Sequence, residues 1–227
     1  MPVLEGGIYD QVNPEDHHDP YWDAVRRNPL EFIDGEPFLC TTGNPNLCAA
    51  EQHSGEGIYR RPLCQKYSWS VLSPFDRAWI SDQTGGRPLV EIGAGSGYWA
   101  WQLAQGGTDV VAYDPHPVSP GNRYCTSGPY FPVRQGDESA VAHHPDRVLM
   151  MVWPPKGSPY AANALARYTG DLLIYAGLPA GRCTADDTFH DVLGRDWEMF
   201  SVSTGHISWC NARDNLAAFR RRFRSGN

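Results

Sequence analysis

The chain has 227 residues, 41% of them hydrophobic, which is enough to bury the core of one large soluble domain. Its formal net charge of −7 argues against a broad basic groove for phosphate backbones, so we do not expect nucleic acid as its partner. It has no run of about 18 apolar residues, and residues 1–7 lack the basic and apolar regions of a signal peptide, so we expect a cytoplasmic protein without membrane contact.

Residues 1–66 predict an irregular N-terminal cap with short helices. This part is rich in Pro, Gly, Asn and His, and its clearest helical candidate is residues 20–27, which Pro29 closes. We expect the cap to act as a lid over a substrate, while residues 67–227 form the core. A further helix is predicted over residues 70–82, where apolar residues recur at helical spacing around a Ser-Pro start.

From residue 89 onward the apolar runs are short, continuous and regularly interrupted. Continuous runs are typical of parallel strands that are buried on both faces. The predicted strands are residues 89–92, 110–113, 130–135, 148–153 and 172–176. Helices are predicted between them over residues 98–105 and 160–168, each followed by a glycine stop. This alternation predicts an α/β fold with helices on both sides of a doubly wound sheet.

The end of the chain predicts a different arrangement. Residues 197–203 and 207–210 are strand-like and only three residues apart, which is too short for a crossover helix, so they should pair as an antiparallel hairpin. Residues 214–224 have the pattern of a short amphipathic helix with a basic end. The complete prediction is a seven-stranded, mainly parallel sheet that ends in an antiparallel hairpin.

The most specific pattern lies in residues 89–117, LVEIGAGSGYWAWQLAQGGTDVVAYDPHP. The dinucleotide-binding fingerprint Gly-x-Gly-x-x-Gly needs its third glycine at the position of Tyr98, which argues against a pyrophosphate bound in that manner. The observed pattern is Glu91-x-Gly93-x-Gly95-x-Gly97, in which glycines let a backbone approach a ligand closely. Asp114 ends the next strand, where a carboxylate can accept bonds from both ribose hydroxyls.

This passage resembles motif I of the class I S-adenosylmethionine-dependent methyltransferases. The resemblance implies a methyltransferase that uses S-adenosyl-L-methionine and releases S-adenosyl-L-homocysteine. It also implies that the glycines admit the methionine part, that Asp114 holds the ribose, and that Asp137 or its neighbour Glu138 meets the adenine. The predicted cofactor-binding residues are Glu91, Gly93, Ala94, Gly95, Gly97, Asp114, Pro115, Asp137, Glu138 and Trp153.

The acceptor is predicted from the loop after the fourth strand, residues 152–157. Amino methyltransferases of the nucleic-acid type carry Asp or Asn before Pro-Pro and an aromatic residue here, whereas this chain has Trp153 before the prolines and Lys156 after them. We therefore expect a nitrogen or oxygen acceptor on a small molecule or peptide, with a nucleic-acid or protein amino group as the alternative. The predicted acceptor-binding residues are Tyr67, Trp69, Pro154, Pro155 and Tyr160.

No side chain stands out as a general base; the candidates are His116, Tyr160 and His206. The paired histidines and aspartates lack zinc-ligand spacing, so we expect no metal. Two other classes of protein fit the glycine passage. They are an NAD(P)-dependent oxidoreductase, which would bind the dinucleotide, and a non-catalytic nucleoside-binding module, which would bind the methyl donor without turning it over.

Overall fold

A computed structural model gives the structure of the chain. It describes residues 18–26, 30–33, 36–39, 60–117, 122, 124–180, 183–210 and 212–222. Most of the predicted cap, including residues 1–17 and 40–59, lies outside the described residues, and so does the end of the basic C-terminal run at residues 223–227. The closure of this cap over a substrate therefore stays a prediction.

A seven-stranded sheet forms the centre of the molecule, with the order β5-β4-β3-β6-β7-β9-β8. A separate antiparallel pair is formed by β1 (Leu30–Ile33) and β2 (Glu36–Leu39). The strands of the large sheet are β3 (Leu89–Ile92), β4 (Val110–Asp114), β5 (Val133–Gln135), β6 (Val148–Val152), β7 (Leu172–Gly177), β8 (Trp197–Val202) and β9 (Asn215–Arg221). From β5 to β7 all neighbours pair in parallel, whereas β9 is antiparallel to both β7 and β8. The predicted fold class is confirmed.

Helices cover both faces of this sheet. They are α1 (Pro20–Val25), α2 (Arg60–Lys66), α3 (Pro74–Thr84), α4 (Tyr98–Gln105), α5 (Tyr160–Arg167) and α6 (Asp187–Asp196), with a 3₁₀ helix over Glu138–His143. Alternate strand residues enter two separate apolar clusters. One cluster holds Leu89, Val148, Met150, Leu172 and Ile174 with α3 and α4; the other holds Val90, Leu149, Met151, Leu173 and Tyr175 with α5 and α6. This burial on both faces explains why the strands are continuous apolar runs.

The C-terminal prediction is correct for β8 and wrong for its partner. Residues 207–210 contribute only a single bridge, between Trp209 and Leu39, and the strand that pairs with β8 is Asn215–Arg221, where a helix was predicted. Leu216, Ala217 and Ala218 are all buried because β9 lies between two strands. A short apolar run of this kind suits a buried strand and a helix equally, so its periodicity could not distinguish them.

Two smaller differences between prediction and structure concern β5 and the cap. The predicted strand over residues 130–135 is shortened to Val133–Gln135. The cap, for which only helices were predicted, also contains β1 and β2, in which Leu30 is paired with Leu39. Isolated four-residue strands carry too few residues for their alternation to be recognised in a sequence.

Asp19 fastens the N-terminal helix to the core. Its carboxylate caps α1 by accepting from Trp22 N, and it also accepts from the Tyr98 hydroxyl and from Arg77, both at 2.6 Å. Arg77 lies on α3 and Tyr98 opens α4, so a single buried carboxylate joins three helices. Tyr21, one residue into α1, donates its backbone N–H to the same Tyr98 hydroxyl at 2.9 Å.

A buried charge network holds the segment between β8 and β9 against α3. The side chain of His206 is only 3% exposed, and its two ring nitrogens lie 3.1 Å from Asp76 and 3.3 Å from Asp214. Burial alone would lower the pKa of His206, but the two carboxylates outweigh it and raise that pKa to about 10. Asp76 is also the N3 residue of the capping box of α3, so one carboxylate orders both the helix start and the loop.

The His206 network predicts a loss of stability at alkaline pH. Because the pKa of folded His206 lies above its ordinary value of 6.5, its stabilisation is complete below pH 6.5 and is lost as the pH rises towards 10. We expect urea unfolding to show that the difference in unfolding free energy between the wild type and His206→Gln shrinks over this window. The slope should be about 1.4 kcal/mol per pH unit. The exposed His143→Gln should follow the wild type, and parallel curves for His206→Gln and wild type would contradict the assignment.

Candidate functional site

A cavity of about 980 Å³ opens at the carboxyl ends of β3, β4 and β6. In an open α/β sheet this is the edge where ligands bind, and the volume is at the upper end of the range for ligand pockets. The predicted site residues that line it are Tyr67, Trp69, Glu91, Gly93, Ala94, Gly95, Asp114, Pro115, His116, Trp153, Pro154, Pro155 and Tyr160. Gly97, Asp137, Glu138 and His206 are not among the lining residues.

The three glycines of the loop after β3 all have left-handed backbone conformations, with φ of 81°, 54° and 72° for Gly93, Gly95 and Gly97. Their surroundings differ. A Cβ on Gly97 would lie 2.7 Å from Val133 and 2.9 Å from Phe131, so this glycine permits close packing within the protein. A Cβ on Gly95 would meet no protein atom within 4 Å. The bend at Gly95 therefore faces open space in the cavity.

Asp114 fixes the position of that bend. One oxygen of its carboxylate accepts from Gly95 N at 2.8 Å, and the other accepts from His116 N at 2.8 Å. The amides of Gly93 and Ala94 donate to the carbonyl of Tyr113, one residue earlier on β4. Each carboxylate oxygen has a second lone pair, so Asp114 can still accept two hydrogen bonds from a ligand.

Glu91 is a buried carboxyl group at the base of the same loop. It is 2% exposed, and its Oε2 atom has no hydrogen-bond partner. Burial raises its pKa to about 8; a bond from the Ala100 backbone opposes this rise, and the charge of Asp114 adds to it. Glu91 is therefore mostly protonated at neutral pH in the free protein, and a cation brought to Oε2 would favour its ionised form.

Tyr160, at the start of α5, places a second orphan polar group beside the glycine loop. Its ring lies 3.2 Å from the position of a Cβ on Gly93, and its buried hydroxyl has no hydrogen-bond partner. Burial raises the pKa of this hydroxyl, and the nearby acidic groups, chiefly Asp114, raise it further. The hydroxyl is thus a neutral donor that a ligand oxygen or nitrogen could use.

The two acidic residues proposed for the adenine end have partners within the protein. Asp137 caps the 3₁₀ helix by accepting from the backbone and the hydroxyl of Ser139, and these bonds lower its pKa. Glu138 accepts from the side-chain amide of Asn163 at 2.8 Å. Their contact with a nucleobase stays a prediction.

The three general-base candidates differ in environment. His116 is exposed at the cavity, where its backbone is bound to Asp114. The raised pKa of Tyr160 makes its phenol a poor base at neutral pH. His206 lies in the buried network with Asp76 and Asp214, which already occupy both ring nitrogens. Of the three, His116 is the one that solvent and an acceptor in the cavity can both reach.

Aromatic side chains form another part of the cavity wall. Tyr67 is stacked on Tyr21 with ring centroids 5.1 Å apart, and its carbonyl accepts from Ser96 of the glycine loop. Trp69 donates its indole N–H to the carbonyl of Tyr124 at 2.9 Å. Trp153 has a left-handed φ of 50°, which is uncommon for a bulky residue and places its ring at the cavity directly after β6.

Two lining cations were not predicted from the sequence. Arg60 begins α2, and Lys156 follows the two prolines after β6. In the sequence, Lys156 is only a departure from an aromatic position, and nothing around Arg60 signals a site. Among the described residues, no group of three or more histidines, cysteines or acidic residues could hold a metal ion. A search of the same residues finds no helix with the length and apolarity needed to cross a membrane.

Comparison with known proteins gives a short sequence match and several structural similarities. No protein-family model matches the chain. The ribosomal RNA large subunit methyltransferase M of Marinobacter nauticus is 41% identical over 61 residues, which is 27% of this chain but only 17% of that protein. The match thus spans less than a fifth of the relative's length.

Two of the similar solved structures are methyltransferases that act on small molecules. Magnesium protoporphyrin IX methyltransferase from Synechocystis PCC 6803, with S-adenosylhomocysteine bound, has a TM-score of 0.43 at 15% identity, over 64% of this chain and 80% of that one. Burkholderia thailandensis 1,6-didemethyltoxoflavin-N1-methyltransferase has a TM-score of 0.40 at 14% identity, over 65% and 76%.

Because the Tyr160 hydroxyl has no partner, its removal should affect the free energy of unfolding less than removal of the bonded Tyr168 hydroxyl. Tyr160→Phe removes a buried group without a partner, so the free protein should keep its stability to within about 1 kcal/mol or gain some. Tyr168→Phe is the matched control, because that hydroxyl accepts from Leu149 N and lies 2.8 Å from the Arg147 carbonyl. It should lose about 1–3 kcal/mol in urea unfolding. Equal losses for the two variants would show that Tyr160 has a partner.

Proposed function

We propose that the protein is an S-adenosylmethionine-dependent methyltransferase that transfers a methyl group to nitrogen or oxygen on a small molecule or peptide. The observation that carries this proposal is the glycine bend at residues 93–97, in which Gly95 faces open cavity and donates its N–H to the carboxylate of Asp114. Two buried polar atoms without partners, Glu91 Oε2 and the Tyr160 hydroxyl, adjoin the same bend.

The residues at the bend fit the groups of this cofactor. Glu91 Oε2 can accept from the ammonium of the methionine part, which would also stabilise the ionised carboxylate. The open side of Gly95 leaves room for the methionine chain, and Asp114 retains two acceptor positions for ribose hydroxyls. Asp137 and Glu138 would meet the adenine end. Trp153 is assigned to the acceptor instead, because its ring lies against the guanidinium of Arg60.

The cofactor supplies an activated methyl group on a sulfonium, so the chain itself has mainly to align the acceptor and exclude water. Trp69, Trp153 and the rigid Pro154-Pro155 turn provide flat and stiff walls for an acceptor. Where the acceptor starts protonated, His116 at the cavity mouth is the group best placed to remove that proton.

The main rival is an NAD(P)-dependent oxidoreductase. In a dinucleotide site the third glycine of the fingerprint lets the helix pack closely on the strand. Here that position is Tyr98, which is 1% exposed and bonded to Asp19, so its ring is part of the core. This arrangement favours the methyl donor over the dinucleotide. A non-catalytic binding module has the same cofactor site, and only turnover distinguishes it.

An RNA acceptor is the second candidate, and the sequence match to a ribosomal RNA methyltransferase favours it. Two features argue against an RNA acceptor. The net charge is −7, and Trp153 stands before the two prolines, where amino methyltransferases of the nucleic-acid type carry Asp or Asn. Incubation with labelled methyl donor and separate pools of small molecules, peptides and RNA distinguishes the small-molecule or peptide acceptor from the RNA acceptor. Label in RNA alone would replace the small-molecule proposal, and no label in any pool would favour the binding module.

The role of Asp114 predicts the response of product binding to mutation. Isothermal titration with S-adenosylhomocysteine should show binding to the wild type, and Asp114→Asn should weaken it by about 1–3 kcal/mol. Asp109→Asn is the matched control, because Asp109 precedes the same strand at its opposite end and pairs with Arg147. NADH should not bind. Undiminished affinity in Asp114→Asn would remove this carboxylate from the cofactor site.

The raised pKa of Glu91 predicts that binding releases protons. At pH 7 the free carboxyl, with its pKa of about 8, is mostly protonated, and a bound ammonium should ionise it. Titration of S-adenosylhomocysteine in buffers of different ionisation enthalpy should detect this release in the wild type. The release should disappear in Glu91→Gln and persist in the exposed Glu198→Gln. An equal release in Glu91→Gln and wild type would assign the proton to another group.

A further inference from the structure

Arg60 is a buried cation in the cavity wall. The residue is 6% exposed, yet it lines the cavity, and its Nε atom has no hydrogen-bond partner. Within the described part of the chain, no hydrogen bond or ion pair joins its guanidinium to another residue. Arginine is rarely buried to this degree unless it is paired, because removing an uncompensated charge from water is energetically costly.

Two tryptophans flank this guanidinium. Its central carbon lies 5.7 Å from the ring centroid of Trp69 and 5.4 Å from that of Trp153, within the range of cation–π contacts. Such contacts use the flat face of the guanidinium, whereas its five N–H donors lie in its plane. The tryptophans therefore compensate part of the charge and leave hydrogen-bond donors without acceptors.

Acidic and basic side chains line different parts of the cavity. The carboxyl groups of Glu91 and Asp114 come from β3 and β4, next to the glycine loop. The cations Arg60 and Lys156 come from α2 and from the loop after β6, together with Trp69 and Trp153. The part with the carboxyl groups complements the cationic and hydroxyl groups of the cofactor. The part with the cations and tryptophans complements an anionic group on a flat ring.

We infer that Arg60 forms an anion-binding subsite for the methyl acceptor, which is a small, flat molecule that carries a carboxylate or a phosphate ester. This inference rests on the proposed function and specifies its substrate class. The ring of the acceptor would contact Trp69 and Trp153, and its anionic group would accept the in-plane N–H donors of Arg60. Lys156, exposed at the cavity, adds a second positive charge to the same part.

The test compares two probes that differ in charge and little in shape. Indole-3-carboxylate and indole-3-carboxamide are titrated by calorimetry into the full chain, with and without saturating S-adenosylhomocysteine. The variants are Arg60→Gln and, as the matched control, Arg61→Gln, which removes the same charge from the next, exposed residue of α2 outside the cavity lining. Phenyl phosphate and a single-stranded oligouridylate are measured in parallel.

The wild type and Arg61→Gln should bind the carboxylate at least about tenfold more tightly than the carboxamide, the effect of one charge-assisted hydrogen bond. Arg60→Gln should lose most of this preference, because the remaining cation, Lys156, is exposed and screened by solvent. The stronger of indole-3-carboxylate and phenyl phosphate then identifies the anionic group. If Arg60→Gln fails to fold, the comparison of the two indoles on the wild type still tests the inference.

Three results would overturn the subsite: equal affinities for the two indoles in the wild type, no binding of either aromatic anion at millimolar concentration, or a preference that is undiminished in Arg60→Gln. Tighter, Arg60-dependent binding of the oligouridylate would replace it with an RNA surface. The proposed function fails separately, since absence of S-adenosylhomocysteine binding is measured in its own titration.

Discussion

The burial of the parallel strands on both faces is the constraint on which the rest of this structure depends. Because successive residues of β3, β6 and β7 enter two different apolar clusters, both faces of the sheet are covered and closed to a ligand. The strand ends are left as the places where carboxylates, glycines and backbone amides can meet a ligand. The glycine loop follows β3, Asp114 ends β4 and Trp153 follows β6, so all three lie at the same edge of the sheet.

The polar groups at this edge are organised by one another as much as by the strands. The carboxylate of Asp114 holds the amide of Gly95, and the carbonyl of Tyr113 holds two further loop amides. The loop is therefore preformed, with the orphan atoms of Glu91 and Tyr160 beside it. Preformed hydrogen-bonding groups reduce the ordering cost of binding, which is the physical advantage of leaving these atoms unpaired in the free protein.

Two groups of buried charges away from the cavity are paired within the protein. Asp19 accepts from Tyr98 and Arg77, and His206 lies between Asp76 and Asp214. These networks attach the N-terminal helix and the β8–β9 connection to the core. The contrast with the cavity is informative, because Arg60 and Glu91 are as deeply buried as these groups and yet keep polar atoms without partners. The paired groups hold the fold together, whereas Arg60 and Glu91 line the cavity.

The sequence by itself determined the sheet, its order of apolar runs and the glycine loop, because buried strands, helix spacing and glycine-rich bends follow from local residue order. Helix α4 and strand β3 have the predicted bounds, and thirteen of the predicted site residues line the cavity. Only the tertiary structure decided that residues 215–221 form a strand, since their burial comes from two neighbouring strands. The tertiary structure also decided that His206 lies away from the cavity and that Arg60 lies against Trp69 and Trp153. The reason is that contacts between residues far apart in the chain leave no pattern in a single sequence.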